Sequence, residues 1–242
     1  MKIARLALLL SVVALLLLLI GGPGYRMGLW GLGFGLLDAM RYALFVGAAG
    51  AILAVIFLLV PKIRAGQTVP LVAALVIGIC VVAVPTYVRD TARSVPRIHD
   101  VSTDTNDPPA FVDVLPLRED APNPPEHPGE EVATQQREAY PEIRTLETRL
   151  DPEALAELAV DTAREQGWEI ISAITEDGRI EATDTTLWYG FKDDIVIRVR
   201  AIDDGSVLDI RSKSRIGASD LGKNAARIRD FLDDLRDHLD DQ

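Results

Sequence analysis

Two stretches of the chain gather residue types suited to chemistry. The first runs from Arg211 through Ser212, Lys213, Ser214 and Arg215 to Ser219, Asp220 and Asn224. It reads as a basic strand entering a Gly/Ser-rich helix start. Free backbone N–H groups and the helix dipole at such a junction favour anions. Arg198 and Arg200 lie on the preceding strand. Arg198, Arg200, Arg211, Lys213, Arg215, Ser219 and Asp220 therefore form a candidate binding set for a carboxylate, phosphate or acidic glycan. A simpler reading competes with it: Ser219 is an ordinary helix cap, and the basic stripe neutralises the domain's own carboxylates. The second stretch holds His99, Asp100 and Asp104, followed by Asn106 and Asp107. Alternating Asp and Asn supply oxygens to hard cations. The calcium-loop glycine and terminal bidentate acid are absent, however, and turn chemistry accounts for Asp and Thr equally well. His99, His127 and His238 lie too far apart in sequence for a zinc pattern, so no metal is expected. Nor is there a Gly-x-Ser-x-Gly, Walker or dinucleotide motif, and no cofactor is expected.

The elements that must position these residues divide the chain sharply. Residues 4–20, 43–60 and 69–84 are long apolar runs, and no charge lies mid-span. A bilayer core takes roughly 20 apolar residues as helix, which predicts membrane helices near 4–20, 41–60 and 69–88 within a membrane domain over 1–90. The first run lacks a small-x-small cleavage site, so it is expected to be retained. The absence of mid-span charge argues against an ion path. Gly47 between Ala43 and Ala51 lets helices approach closely.

Charge is equally uneven. The chain carries −11 overall; residues 1–97 hold about +7 and the remainder about −18. Such a domain is repelled by nucleic acid and by anionic headgroups, so no nucleic-acid partner is expected. Lys2 and Arg5, with Lys62 and Arg64, favour a cytoplasmic N-terminus and a cytoplasmic second loop. Three spans then put the C-terminal domain on the periplasmic or extracytoplasmic side of a cell inner (plasma) membrane. The single cysteine, Cys80, lies inside the third run and reads as apolar filler.

Residues 91–145 are dense in Pro, Glu, Asp and Gln and predict an extended linker. Residues 146–242 predict an α+β domain, with an antiparallel four-stranded sheet covered by two helices. Asp151 as N-cap with Pro152 behind it opens the first helix. Strands follow near 168–175, 179–186, 195–200 and 207–215. On the last hairpin Ile195, Ile197 and Val199 share a face with Leu208 and Ile210, so the loop holds two or four residues. A four-residue loop would set Arg200 opposite Asp209. Leu221, Ala225, Ile228, Leu232, Leu235 and Leu239 form a final helical stripe, for the core or for a coiled-coil seam.

The segments Ile98–Asp104, Pro108-Pro109-x-Phe111, Tyr140-Pro141, Gly167-Trp168, Asp194–Val199 and especially Asp209 to Ile228 resemble the bacterial and plastid family known as domain of unknown function 1499 (DUF1499). The resemblance covers roughly residues 95–235 and does not reach the spans. It implies an envelope-associated domain with no assigned activity.

Taken together, the chain reads as a membrane-anchored bacterial envelope protein, its soluble domain a binding or structural module for an anionic small molecule or envelope component. One alternative is a hydrolase-like enzyme on an anionic envelope substrate, with Asp100, Asp104, Asp194 or Asp220 as acid and base. Another is a homo-oligomeric scaffold built through the C-terminal helix.

Overall fold

The structure, a computed structural model, describes residues 2–240. It divides into two compact units: residues up to Thr91 with Leu187–Gly190, and Ala92–Thr186 with the chain from Phe191 onward.

The first unit is helical. Its helices are α1 (Lys2–Arg26), α2 (Ala39–Leu58, entered through a π-helical stretch Gly33–Asp38), the short α3 (Pro61–Arg64) and α4 (Thr68–Ser94). Three of these segments are long and apolar enough to cross a membrane. They pack on small side chains: Ala7, Ser11 and Ala14 of α1, Ala43, Gly47, Gly50 and Ala54 of α2, and Ala74, Gly78 and Val81 of α4 are all buried. The glycines are required for this approach. A Cβ on Gly78 would stand 2.8 Å from the Gly47 carbonyl oxygen, and one on Gly47 would stand 2.9 Å from Val81 Cγ1. Small residues serve this purpose where lipid removes any hydrophobic drive between helices. The Ser11 hydroxyl, fully buried, donates to the Ala74 carbonyl at 2.7 Å. The Tyr189 hydroxyl donates to the Gly35 carbonyl at 3.1 Å.

The second unit is α+β. Its strands are β1 (Asp100–Ser102), β2 (Leu146–Thr148), β3 (Glu169–Ile174), β4 (Arg179–Thr185), β5 (Lys192–Ile202) and β6 (Gly205–Ser214). The order is β1-β6-β5-β4-β3, with β2 also on β6, and every pairing is antiparallel. The sheet thus has six strands where the sequence predicts four. The two additions are three residues long, too short for a period-2 pattern, and they form because β6 offers its edge.

Helices α6 (Pro152–Glu165) and α7 (Lys223–Asp240) cover one face. Asp151 caps α6 as its sequence predicts, accepting from the Glu153 amide at 3.0 Å. Leu155, Ala159 and Ala163 of α6 and Ala225, Ile228, Phe231, Leu232 and Leu235 of α7 meet Ile195, Ile197, Leu208 and Ile210 in one core. Trp168 stacks on Phe231 there, with ring centroids 5.3 Å apart. The α7 stripe therefore packs within its own domain rather than forming an open seam.

Pairing of Ile202 with Gly205 leaves a two-residue turn, Asp203-Asp204. Arg198, not Arg200, is consequently the residue opposite Asp209.

The stretch read as an extended linker is instead built into this unit. Residues 91–145 hold β1, a 3-10 turn (Leu115–Arg118) and α5 (Glu130–Ala139), and they cover the sheet's second face. Phe111 and Val114 pack on Val196. The Glu181 carboxylate accepts the Val112 and Val114 amides at 2.8 and 2.9 Å. Gln136 bonds the Ser102 main chain in both directions, at 2.9 and 2.6 Å. Proline-rich composition misled the sequence reading because this segment is held by its backbone rather than by an apolar stripe.

Candidate functional site

Alternation along β5 and β6 sends Asp194, Val196 and Arg198, and Asp209, Arg211 and Lys213, away from the two covering helices. Register places Asp194 beside Lys213, Val196 beside Arg211 and Arg198 beside Asp209. On the other edge of β6, β1 brings Asp100 beside Lys213. The face becomes a lattice of charges centred on three carboxylates.

Asp100 is fully buried. It takes Arg211 in a bidentate fork, Nε at 2.9 Å and Nη2 at 2.8 Å, and Lys213 Nζ at 2.8 Å. The remaining donors of these cations go to main-chain oxygens of the cover. Arg211 reaches Pro109 at 3.0 Å and Pro125 at 2.9 Å, and Lys213 reaches Glu126 at 2.7 Å. The Phe111 ring lies 4.8 Å from the Arg211 guanidinium and 5.4 Å from that of Arg118, both within cation–π range.

Asp194, also fully buried, accepts from Thr183 at 2.7 Å, from Arg215 at 2.8 and 2.7 Å, and from Arg118. Arg215 donates onward to the Leu117 carbonyl at 2.6 Å. Asn123 ties the cover down by donating to the Ser214 and Gly217 carbonyls at 3.0 and 2.9 Å. Asp209 accepts from Arg198 at 3.1 Å, Arg200 at 2.7 Å and Thr145 at 2.6 Å. Arg198 also holds Asp104 at 3.2 Å and Asp107 at 2.9 Å.

Burial alone would push the Asp100 carboxyl up. The hydrogen bonds and charge of Arg211, then of Lys213, outweigh it and hold the group below its ordinary range. Burial pulls Lys213 below the ordinary lysine range, with Asp100 opposing. Arg118 is lowered by burial against the pull of Asp194. Asp220 is raised by burial, although the Asn224 and Gly222 amides bond to it at 2.7 and 2.8 Å.

The two sequence candidates therefore meet. Asp100, from the first segment, is the partner of Arg211 and Lys213 in the second. Arg198, Arg200 and Asp104 share the Asp209 end of the lattice, and Arg215 belongs to Asp194. Asp220 bonds the amides that open α7, and the Ser219 hydroxyl accepts from the Leu221 amide at 3.3 Å. Asp220 caps α7 through the Asn224 amide, whereas Ser219 closes the turn that precedes the helix. His99 stands at the Asp100–Lys213 edge. Among the described residues no cluster of His, Cys, Asp and Glu is suited to a metal ion. Sequence reasoning missed Arg118, Thr183, Asn123 and Glu181. Their partners lie far off in sequence or on a neighbouring strand, and no local pattern marks them: of the apolar residues just after Phe111 only Val114 is buried, whereas Val112, Leu115 and Leu117 are exposed.

Two imidazoles border the lattice. His99 is held below its ordinary value by burial and by the charge of Lys213, opposed by Asp100 and Asp220. His127 is lowered by burial, with Asp100 opposing and Arg211 and Lys213 assisting. Its Nδ1 accepts the Gly129 amide at 3.1 Å, so its proton sits on Nε2. A second proton would occupy Nδ1 and break that bond, beside two buried cations. Because the folded values lie below the unfolded one, the neutral histidines stabilise the fold fully above about pH 6.5, and that stability is lost as pH falls below it. The thermal midpoint of the protein in detergent should drop between about pH 7.5 and about pH 5.5. The drop should be smaller in the His99→Gln/His127→Gln variant; equal profiles would refute the assignment.

One protein-family model, described as "Protein of unknown function (DUF1499)", matches residues 100–235. No curated protein and no solved structure matches the chain. The matched span begins at Asp100 and includes every residue of the lattice.

Proposed function

The chain belongs to the DUF1499 family, and from that premise we propose that it is a membrane-anchored module of the cell envelope, with its globular domain on the extracytoplasmic side, working by binding or bracing rather than by catalysis. The observation that carries the proposal is the closure of the charged face. Asp100, Asp194 and Asp209 have no exposed surface, and each is satisfied within the domain: Asp100 by two buried cations, Asp194 and Asp209 by arginines and a threonine hydroxyl. Catalytic acids and bases act in clefts that admit substrate. The three apolar helices support the anchor, and the positive charge flanking the first span and the loop between the second and third supports the sidedness.

The hydrolase reading keeps one point in its favour: Asp100 lies within hydrogen-bond distance of Arg211 and Lys213. Full burial of all three leaves it without access to substrate.

Fusions at the C-terminus test the proposal. A reporter that matures only outside the cytoplasm should be active, and one that works only inside should be silent. The opposite pattern would overturn the extracytoplasmic assignment.

A further inference from the structure

The lattice uses its cations internally, so an anionic partner must be sought elsewhere on the second unit. This domain is acidic, and many of its surface arginines are neutralised. Arg164 pairs with Asp161, Arg229 with Glu142, Arg236 with Asp233 and Arg137 with Glu130. Arg144 differs. Its Nε donates to the Pro141 carbonyl at 2.7 Å, and it has no ion pair among the described residues.

Arg144 lines a cleft of about 260 Å³. The cleft opens where two segments that carry the family resemblance come together, the Thr103 end of the first and Tyr140-Pro141. Its apolar wall includes Ile143 and the Tyr140 ring, which are 5% and 7% exposed. Its polar wall includes Thr105 and Arg137. Arg137 Nη1 donates to the Thr105 hydroxyl at 3.1 Å, and the hydroxyl proton remains free to donate to a ligand. The lining combines a planar guanidinium without a carboxylate, a hydroxyl donor, a second guanidinium already paired with Glu130, and a small, largely buried apolar surface. Ligand sites in general join apolar lining to a few convergent polar groups. The volume falls just under the usual range of about 300–1,000 Å³, which limits the occupant to a small molecule or to the end of a chain.

We infer that this cleft binds a small carboxylate carrying a compact aliphatic group, with the carboxylate on Arg144 and Thr105 and the aliphatic part on Ile143 and the Tyr140 ring. Carboxylate and phosphate both fit the guanidinium fork; an aliphatic carboxylate is favoured over inorganic phosphate because it alone brings an apolar substituent to Ile143 and the Tyr140 ring. The inference rests on the binding-module reading above and gives it a location.

The test is isothermal titration of the full-length chain in detergent micelles with butyrate and with inorganic phosphate. Wild type should bind butyrate saturably in the millimolar range. Arg144→Gln should weaken that binding about tenfold or more, the loss of roughly 1.5 kcal/mol expected for a charge-assisted bond. Arg144 is exposed, so the variant should fold, and an unchanged thermal midpoint would verify this. Arg236→Gln, which removes an arginine that is likewise exposed but paired with Asp233, should bind as wild type does. Absence of saturable butyrate binding, equal binding by Arg144→Gln, or phosphate binding tighter than butyrate would each overturn the assignment. Equal binding by the variant would leave the binding-module reading intact and remove only the site. The fusion experiment judges the envelope reading independently.

Discussion

Replacing Asp100 with alanine should unfold the globular unit near physiological temperature. The carboxylate is fully buried and holds Arg211 and Lys213, themselves 3% and 0% exposed at their side chains. Removing it leaves two cations in the interior with the main-chain carbonyls of Pro109, Pro125 and Glu126 as their acceptors. Breaking a buried ion pair from one side costs about 3–5 kcal/mol, against a total domain stability of about 5–15 kcal/mol. The thermal midpoint, followed by the fluorescence of Trp168 in the core, should fall by more than about 10 °C. A triple variant, Asp100→Leu with Arg211→Met and Lys213→Met, removes all three charges together. It should be less destabilised than the single change, because the dominant loss is desolvation of orphaned charge rather than loss of attraction. A single variant as stable as wild type, or a triple variant worse than the single, would show that the lattice does not hold the cover in place.

The second large effect is expected in the helical unit. A Cβ on Gly50 would overlap the Ser11 hydroxyl and stand 3.0 Å from the Ser11 amide nitrogen and 3.1 Å from the Ala7 carbonyl oxygen. These are backbone atoms of α1 and cannot rotate away. Gly50→Leu must therefore separate α1 from α2 and break the Ser11–Ala74 hydrogen bond. Overpacking of this kind costs about 1–3 kcal/mol, and the buried hydroxyl left unpaired adds to it. In mixed micelles the SDS concentration that unfolds the bundle should fall well below the wild-type value. Gly31→Ala serves as the control, since a Cβ there meets nothing within 4 Å. Equal midpoints for Gly50→Leu and Gly31→Ala would rule out this packing.

Much of the architecture was legible in the sequence because it depends on local pattern. The apolar runs, the Asp151-Pro152 helix start, and the alternation of Ile195, Ile197 and Val199 against Leu208 and Ile210 need only neighbouring residues. The same parity leaves Arg198, Arg200, Asp209, Arg211 and Lys213 together on the opposite face. What it did not supply was the identity of the partners. Arg211 meets a carboxylate 111 residues away, and Arg215 meets one 21 residues away. The cover was misread for the same reason. Its prolines mark an extended chain, which is correct locally, but Pro109, Pro125 and Glu126 are ordered through their carbonyls by cations on a distant strand. The arginine at 118 went unnoticed because nothing beside it in sequence explains its burial. The open cleft at Arg144 was equally invisible, since it depends on the absence of a carboxylate in space.

The separation between Asp100 and Arg211 also sets an order of events during synthesis. A ribosome adding about 5–20 residues per second needs roughly 6–22 s to travel from one to the other. Throughout that interval the aspartate has no counterion and β1 has no neighbouring strand. The charged heart of the globule therefore closes late, after the three hydrophobic helices have been made, and a polypeptide cut short before residue 211 lacks both cations that satisfy Asp100.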